Sequence, residues 1–243
     1  MGVQNKSGVQ YQMNGNMFTG VGGGAVYHLY DFKIDGNLNT TAKKQRNHIA
    51  FCKPGALAID SSRTYYYDKD DSKWKYRYDV AGVCTKGSVA PDCEIPNNTA
   101  FMTFFNTSDG ASFTFAGEVQ KGVEGKINIG APSGMNFFMA VNPSCREVSL
   151  KDIKILGNLN TTAKKQRNYI AFMKPGALAF DSAKTYYYDN ADGNWKFRYD
   201  VAGVCTKAAV VPDTDKIVIA AGEAVLCSFN STDGAQISFP SAL

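Results

Sequence analysis

Three carboxylates, Asp68, Asp70 and Asp71, fall close together in the chain, and clustered oxygens of that kind are what calcium takes as ligands. The same stretch recurs 121 residues later, where Asp189 and Asp192 remain but the middle carboxylate has become Ala191. Aspartate is also ordinary turn chemistry, so no metal site is expected here. The two histidines, His28 and His48, are matched by Ser149 and Tyr169 in the second stretch. A duplicated catalytic or metal site therefore cannot depend on them, and structural or surface roles are expected. No GxSxG, HExxH, P-loop or EF-hand pattern occurs. The glycines from Gly20 to Gly24 are followed by no helix signature, so they read as a turn rather than a phosphate cradle. The expectation is a protein without a catalytic site or cofactor.

Binding chemistry has better candidates. Lys43, Lys44 and Arg46 recur as Lys164, Lys165 and Arg167, and such a cluster suits an anionic partner or a solvated turn. The run Tyr65-Tyr66-Tyr67 must point to both faces of a strand, so at least one ring is expected in solvent. Tyr66 and its counterpart Tyr187 are the candidate contact aromatics, since a flat ring suits the apolar side of a sugar. Trp74, Tyr76, Tyr78 and Val80 alternate with Lys75, Arg77 and Asp79. That period-two pattern with aromatic enrichment predicts a half-buried antiparallel strand, its aromatic face in the core. It is the second arm of a hairpin turning at Asp68–Ser72, and Trp195, Phe197, Tyr199 and Val201 repeat it after Asp192-Gly193.

The elements that carry these residues come in two sets. Residues 36–86 and 157–207 match at 41 of 51 positions, at a constant offset of 121 in a chain of 243. A duplication of the whole unit is indicated, with boundaries at roughly 1–119 and 120–243 and a junction near Gln120–Gly125. The flanks duplicated with the middle yet diverged more. Either gene conversion keeps the middle uniform, or both copies keep the same surface, since Lys43, Lys75 and Arg77 are not residues a buried core requires. Further strands are expected over Tyr27–Ile34, Ala100–Phe105 and Ala111–Ala116 and their counterparts Val148–Ile155, Ala224–Phe229 and Ala235–Phe239, with tight turns at Ser108–Gly110 and Thr232–Gly234. Only Thr40–Asn47 and Thr161–Asn168 suit a helical turn. Short strands at this spacing predict an all-β chain of two tandem, homologous antiparallel β-sandwich or small-barrel domains.

Composition sets the remaining bounds. With 44% apolar and 12% aromatic residues the chain can bury a core, and no apolar run is long enough for a membrane-spanning helix. A net charge of +4 gives no argument for nucleic acid. None of the six cysteines forms a CxxC pair. An even count permits disulfides, and Cys84–Cys93 and Cys205–Cys227 are the sequence-local pairings. Asn-x-Ser/Thr sequons recur in register at Asn39/Asn160 and Asn106/Asn230. They are glycan acceptors in a eukaryotic secretory protein and turn chemistry in a bacterial one. The polar start from Met1 to Ser7 shows no signal peptide.

The stretches Ile95-Pro-Asn-Asn-Thr-Ala-Phe101 and Ser112-Phe-Thr-Phe-Ala-Gly-Glu-Val119 resemble the domain ends of secreted tandem β-repeat proteins of Verrucomicrobia- and Lentisphaerae-type bacteria. Gly8–Met13 and Met135–Pro143 resemble further segments of them. The Lys-Lys-Gln-Arg segment is not part of that pattern. The family carries no activity to transfer, and the resemblance implies only a bacterial, extracellular or cell-surface setting.

Together these readings predict a non-enzymatic structural protein that self-associates into a filament, appendage or coat. Its Gly-rich first 24 residues would be free to add a strand to a neighbour's sheet. The alternative is a two-site glycan-binding module or adhesin, with Tyr66, Tyr187 and the basic turns as contacts.

Overall fold

The structure is a computed structural model. It describes residues 2–3, 9–13, 17–20, 27–38, 47–53, 58–80, 83–95, 99–105, 107–115, 125–129, 134–142, 146–160, 168–174, 179–201 and 204–240. The first half carries β1 (Gly2–Val3), β2 (Val9–Met13), β3 (Met17–Gly20), β4 (Tyr27–His28), β5 (Phe32–Leu38) and β6 (His48–Cys52). It continues with β7 (Ile59–Asp68), β8 (Lys73–Val80), β9 (Val83–Val89), β10 (Glu94–Ile95), β11 (Ala100–Phe104) and β12 (Thr107–Phe115). The second half carries β13 (Gly125–Ile129), β14 (Gly134–Val141), β15 (Val148–Ser149), β16 (Lys154–Leu159) and β17 (Tyr169–Met173). It ends with β18 (Phe180–Asp189), β19 (Asn194–Val201), β20 (Val204–Val210), β21 (Val218–Ile219) and β22 (Ala224–Phe239). Among the described residues the only helical elements are two single 3-10 turns, Leu29–Asp31 and Leu150–Asp152. They interrupt the strands expected over Tyr27–Ile34 and Val148–Ile155. The chain is all-β and sandwich-like, with no closed barrel among the described residues.

Each half builds its sheets from its own strands. In the first, β1-β2-β12-β5 forms one layer and β3-β11-β6-β7-β8-β9 the other. Phe32, Ile34 and Leu38 from β5 meet Ile49, Phe51, Tyr65 and Trp74 between them, and Trp74 Nε1 donates to the Phe32 carbonyl at 3.1 Å. In the second half the long β22 serves both layers. Its first part pairs with β14 and β17, and its last part with β13 and β16. The core between the layers takes Ile155 and Leu159 from β16, Trp195 from β19, and Ile237 and Phe239 from β22.

The tight turn expected at Thr232–Gly234 is instead a bulge within β22, where the register against β16 shifts between Gly157 and Leu159. The strand bends there to pass from one layer to the other, a use to which bulges are suited. Gly157 adopts φ +116°, and a Cβ on it would lie 2.7 Å from the Gly234 carbonyl oxygen, so only glycine fits the crossing. The first half shifts register in the same place, between Thr107 and Ala111, so Ser108–Gly110 also lies within a strand. The N-terminal segment is not held free for a neighbour. Its β2 pairs with β12 and its β3 with β11, because those strands have open edges in the same chain. The helical turns expected at Thr40–Asn47 and Thr161–Asn168 lie almost wholly outside the described residues.

The six-stranded sheet and its eight-stranded counterpart are each packed on two faces. One faces the core of its own half. On the other, Ala100 and Met102 of β11 pack with Met139, Ala171, Tyr187 and Leu226 of the second half in a third apolar cluster.

Candidate functional site

The two hairpins hold the strongest concentration of charge among the described buried residues. In the first, β7 and β8 pair Tyr67 with Trp74 and Asp68 with Lys73, closing over Lys69–Ser72. Asp68 ends β7 almost fully buried. Its Oδ2 accepts from Lys75 Nζ on β8 at 2.5 Å and from Lys86 Nζ on β9 at 2.7 Å. Its Oδ1 accepts from the Asp70 backbone N–H at 3.3 Å. Lys75 also reaches Asp71 at 2.7 Å, and Lys86 lies 3.6 Å from Asp70. One carboxylate thus ties three neighbouring strands through two ammonium groups.

The second copy repeats the arrangement. Asp189 Oδ2 accepts from Lys196 and Lys207, each at 2.5 Å, and Oδ1 accepts from the Ala191 N–H at 3.2 Å. Lys196 reaches Asp192 at 2.7 Å. In both copies a register shift in the last two strands lies between the positions of the two lysines. The sequence pattern put Lys75 on a solvent face; the structure half-buries it above the carboxylate.

Burial alone would raise the Asp189 carboxyl, but hydrogen bonds from Lys196 and Lys207 outweigh it and hold the group down to about 2. Asp68 is lowered by the same balance of burial against Lys75 and Lys86. The hydrogen bonds to Asp68 and Asp71 push Lys75 up to about 12, and those to Asp189 and Asp192 raise Lys196. At neutral pH the carboxylates are therefore ionised and these lysines protonated. Such groups are poorly suited to proton abstraction or nucleophilic attack, and well suited to pinning strands. The acidic turn considered for calcium has its oxygens turned to ammonium groups instead.

The sequence-predicted site residues separate. Tyr66 and Tyr187 are each only 1% exposed. They cannot serve as contact aromatics, because the sheet face they share with Ala50 and Ala171 is covered rather than open. Among the described residues the exposed rings belong to Tyr76 (39%) and Phe197 (41%), which lie on the core side of their strands beyond the reach of the opposing layer. Lys43, Lys44, Arg46, Lys164, Lys165 and Arg167 lie outside the described residues. Neither expected disulfide forms, since Cys93 and Cys227 carry free thiols. Cys93 Sγ sits 3.6 Å from the Tyr65 hydroxyl. Cys227 is on β22 and Cys205 on β20, four strands apart in one sheet. At about 4.8 Å per strand that separation exceeds what a disulfide spans. Of the histidines, His28 is exposed with Asp92 3.7 Å away, and His48 is buried, stacked on Phe104 at 4.4 Å.

Among the described residues, four of the five exposed large apolar side chains form repeat-equivalent pairs, Tyr76 with Phe197 and Val89 with Val210. All four sit on the last two strands of their sheets. Sequence reasoning did not find the exposure of Tyr76 and Phe197, because alternation assigned them to the core. No protein-family model, curated protein or solved structure matches the chain.

Proposed function

We propose that this protein is a non-enzymatic structural subunit of an extracellular or cell-surface assembly, such as a filament, appendage or coat. The observation that carries the proposal is the matched exposure of Tyr76 and Phe197 at the rim of the core face, and of Val89 and Val210, which oppose Lys75 and Lys196 on the other face. Apolar side chains kept in solvent at matched places are contact surface rather than core, and two matched contacts per chain allow association to propagate. The lysine-clamped hairpins support this reading by stiffening the strands that carry the contacts. The test is light scattering and electron microscopy of the native chain beside a Tyr76→Ser/Phe197→Ser variant. The native chain is expected to form species larger than one chain and the variant to lose them. Equal behaviour of the two would refute the contact.

The second reading, a two-site glycan-binding module, is favoured by the same two exposed rings, each able to stack on a sugar face. Glycan-array binding by the native chain that disappears in the same variant, without any change in assembly, would select it.

A further inference from the structure

We propose that the face joining the two copies is a self-recognition surface, and that two chains exchange halves across it. β14 holds in the second half the place of β3 in the first: each pairs with the strand that also pairs with β17 or β6. Across the junction, β11 lies against β14, and β22 returns the contact by lying against β3. The side chains obey the same relation. Ala100 and its counterpart Ala224 are in one cluster, as are Met102 and Leu226, with Cys52 and Met173 packed at its margin. Each copy therefore meets the other through the surface it presents itself, which is the pattern of an isologous contact about a pseudo-twofold axis.

What covers this face is thus an equivalent face, and any second chain carries the same pair. A half from another chain offers the same alanines for close approach and the same Met102 or Leu226 for filling. Residues 116–124, which join β12 to β13, make the partner in the same chain the nearer one without making it a better fit. A short connection of this sort gives an effective concentration of about millimolar. Exchange is then rare in dilute protein, about 1% at 10 µM, and accounts for roughly half the molecules near 1 mM. Exchanged chains close as a dimer or leave one half open for the next chain. This inference stands apart from the outer-strand contact, which uses other residues.

The test uses full-length chains of two tagged masses. Both are mixed at about 10 µM and about 1 mM, equilibrated, and measured by native mass spectrometry. A parallel mixture carries photoactivatable benzoylphenylalanine in place of Met102. The expected result is a mixed-mass dimer that increases by more than tenfold with concentration. In the photoreactive mixture, adducts should join Met102 of one chain to Met139–Val141 of the other. Absence of mixed dimers at the higher concentration overturns the exchange, whether or not the photoreactive chain folds. Mixed dimers whose adducts are all within one chain also overturn it, while leaving association through the outer strands intact.

Discussion

The first hairpin holds its buried carboxylate with two acidic neighbours in the turn, Asp70 and Asp71, the second with one, Asp192, and both clamps have nearly the same geometry. Lys86 has Asp70 at 3.6 Å as well as Asp68, whereas the second copy has Ala191 in that place and Lys207 relies on Asp189. Yet the Asp189 carboxyl is still held down, to about 2, and Asp68 is lowered by its lysines as well. The outer carboxylate is therefore dispensable, and the pairing of one buried aspartate with two lysines is the unit both copies keep. The turns differ too. Ser72 sits at φ 56° where the second copy has Gly193 at φ 70°, so the first copy bears a backbone cost that the second avoids.

The largest effects should be the same in both copies. Trp74→Ala and Trp195→Ala each empty a buried site between layers, and each should cost about 4 kcal/mol in denaturant unfolding. A difference between them of more than about 2 kcal/mol would break the equivalence of the two cores. Asp68→Ala and Asp189→Ala each leave two lysines facing no buried carboxylate, with an expected loss of about 3 kcal/mol apiece. Acid should act through the same groups. A carboxyl whose folded value is depressed stabilises the fold above its ordinary value and loses that contribution as pH falls through the folded one. Stability should accordingly drop from about pH 4 towards pH 2, and this drop should shrink in Asp189→Asn.

The turn provides the smaller and sharper contrast. Gly193→Ser should cost about 1 kcal/mol, and Ser72→Gly should gain a fraction of that, because glycine also loses more entropy on folding. A Cβ at Gly193 meets only the Tyr188 hydroxyl at 4.0 Å, so the cost is one of backbone conformation. Smallest of all, Asp70→Ala makes the first clamp like the second and should change stability by less than about 0.5 kcal/mol. A larger loss would show that the two clamps are not the same device.

The hairpins, most strands and the all-β class were legible because alternation and aromatic enrichment report which residues lie between two layers. Alternation says nothing about how far the opposing layer extends. Tyr76 and Phe197 follow the core pattern yet project past its rim. Nor does it tell what covers the second face, and so Tyr66 and Tyr187 read as exposed when the other copy's packing buries that side. The clamp was half legible. Asp68 and Lys75 flank one turn, but Lys86 arrives from the next strand across a register shift that no local pattern encodes. The bulge in β22 read as a turn because Thr-Asp-Gly is common to both.

The central claim is that matched copies make this chain a self-associating structural subunit. Its most direct test is analytical ultracentrifugation of the full-length protein over a wide concentration range. The account predicts species heavier than the 26.4 kDa chain that grow with concentration, of which the Tyr76→Ser/Phe197→Ser variant keeps no more than the exchanged dimer. A single species of one chain's mass at every concentration would contradict it.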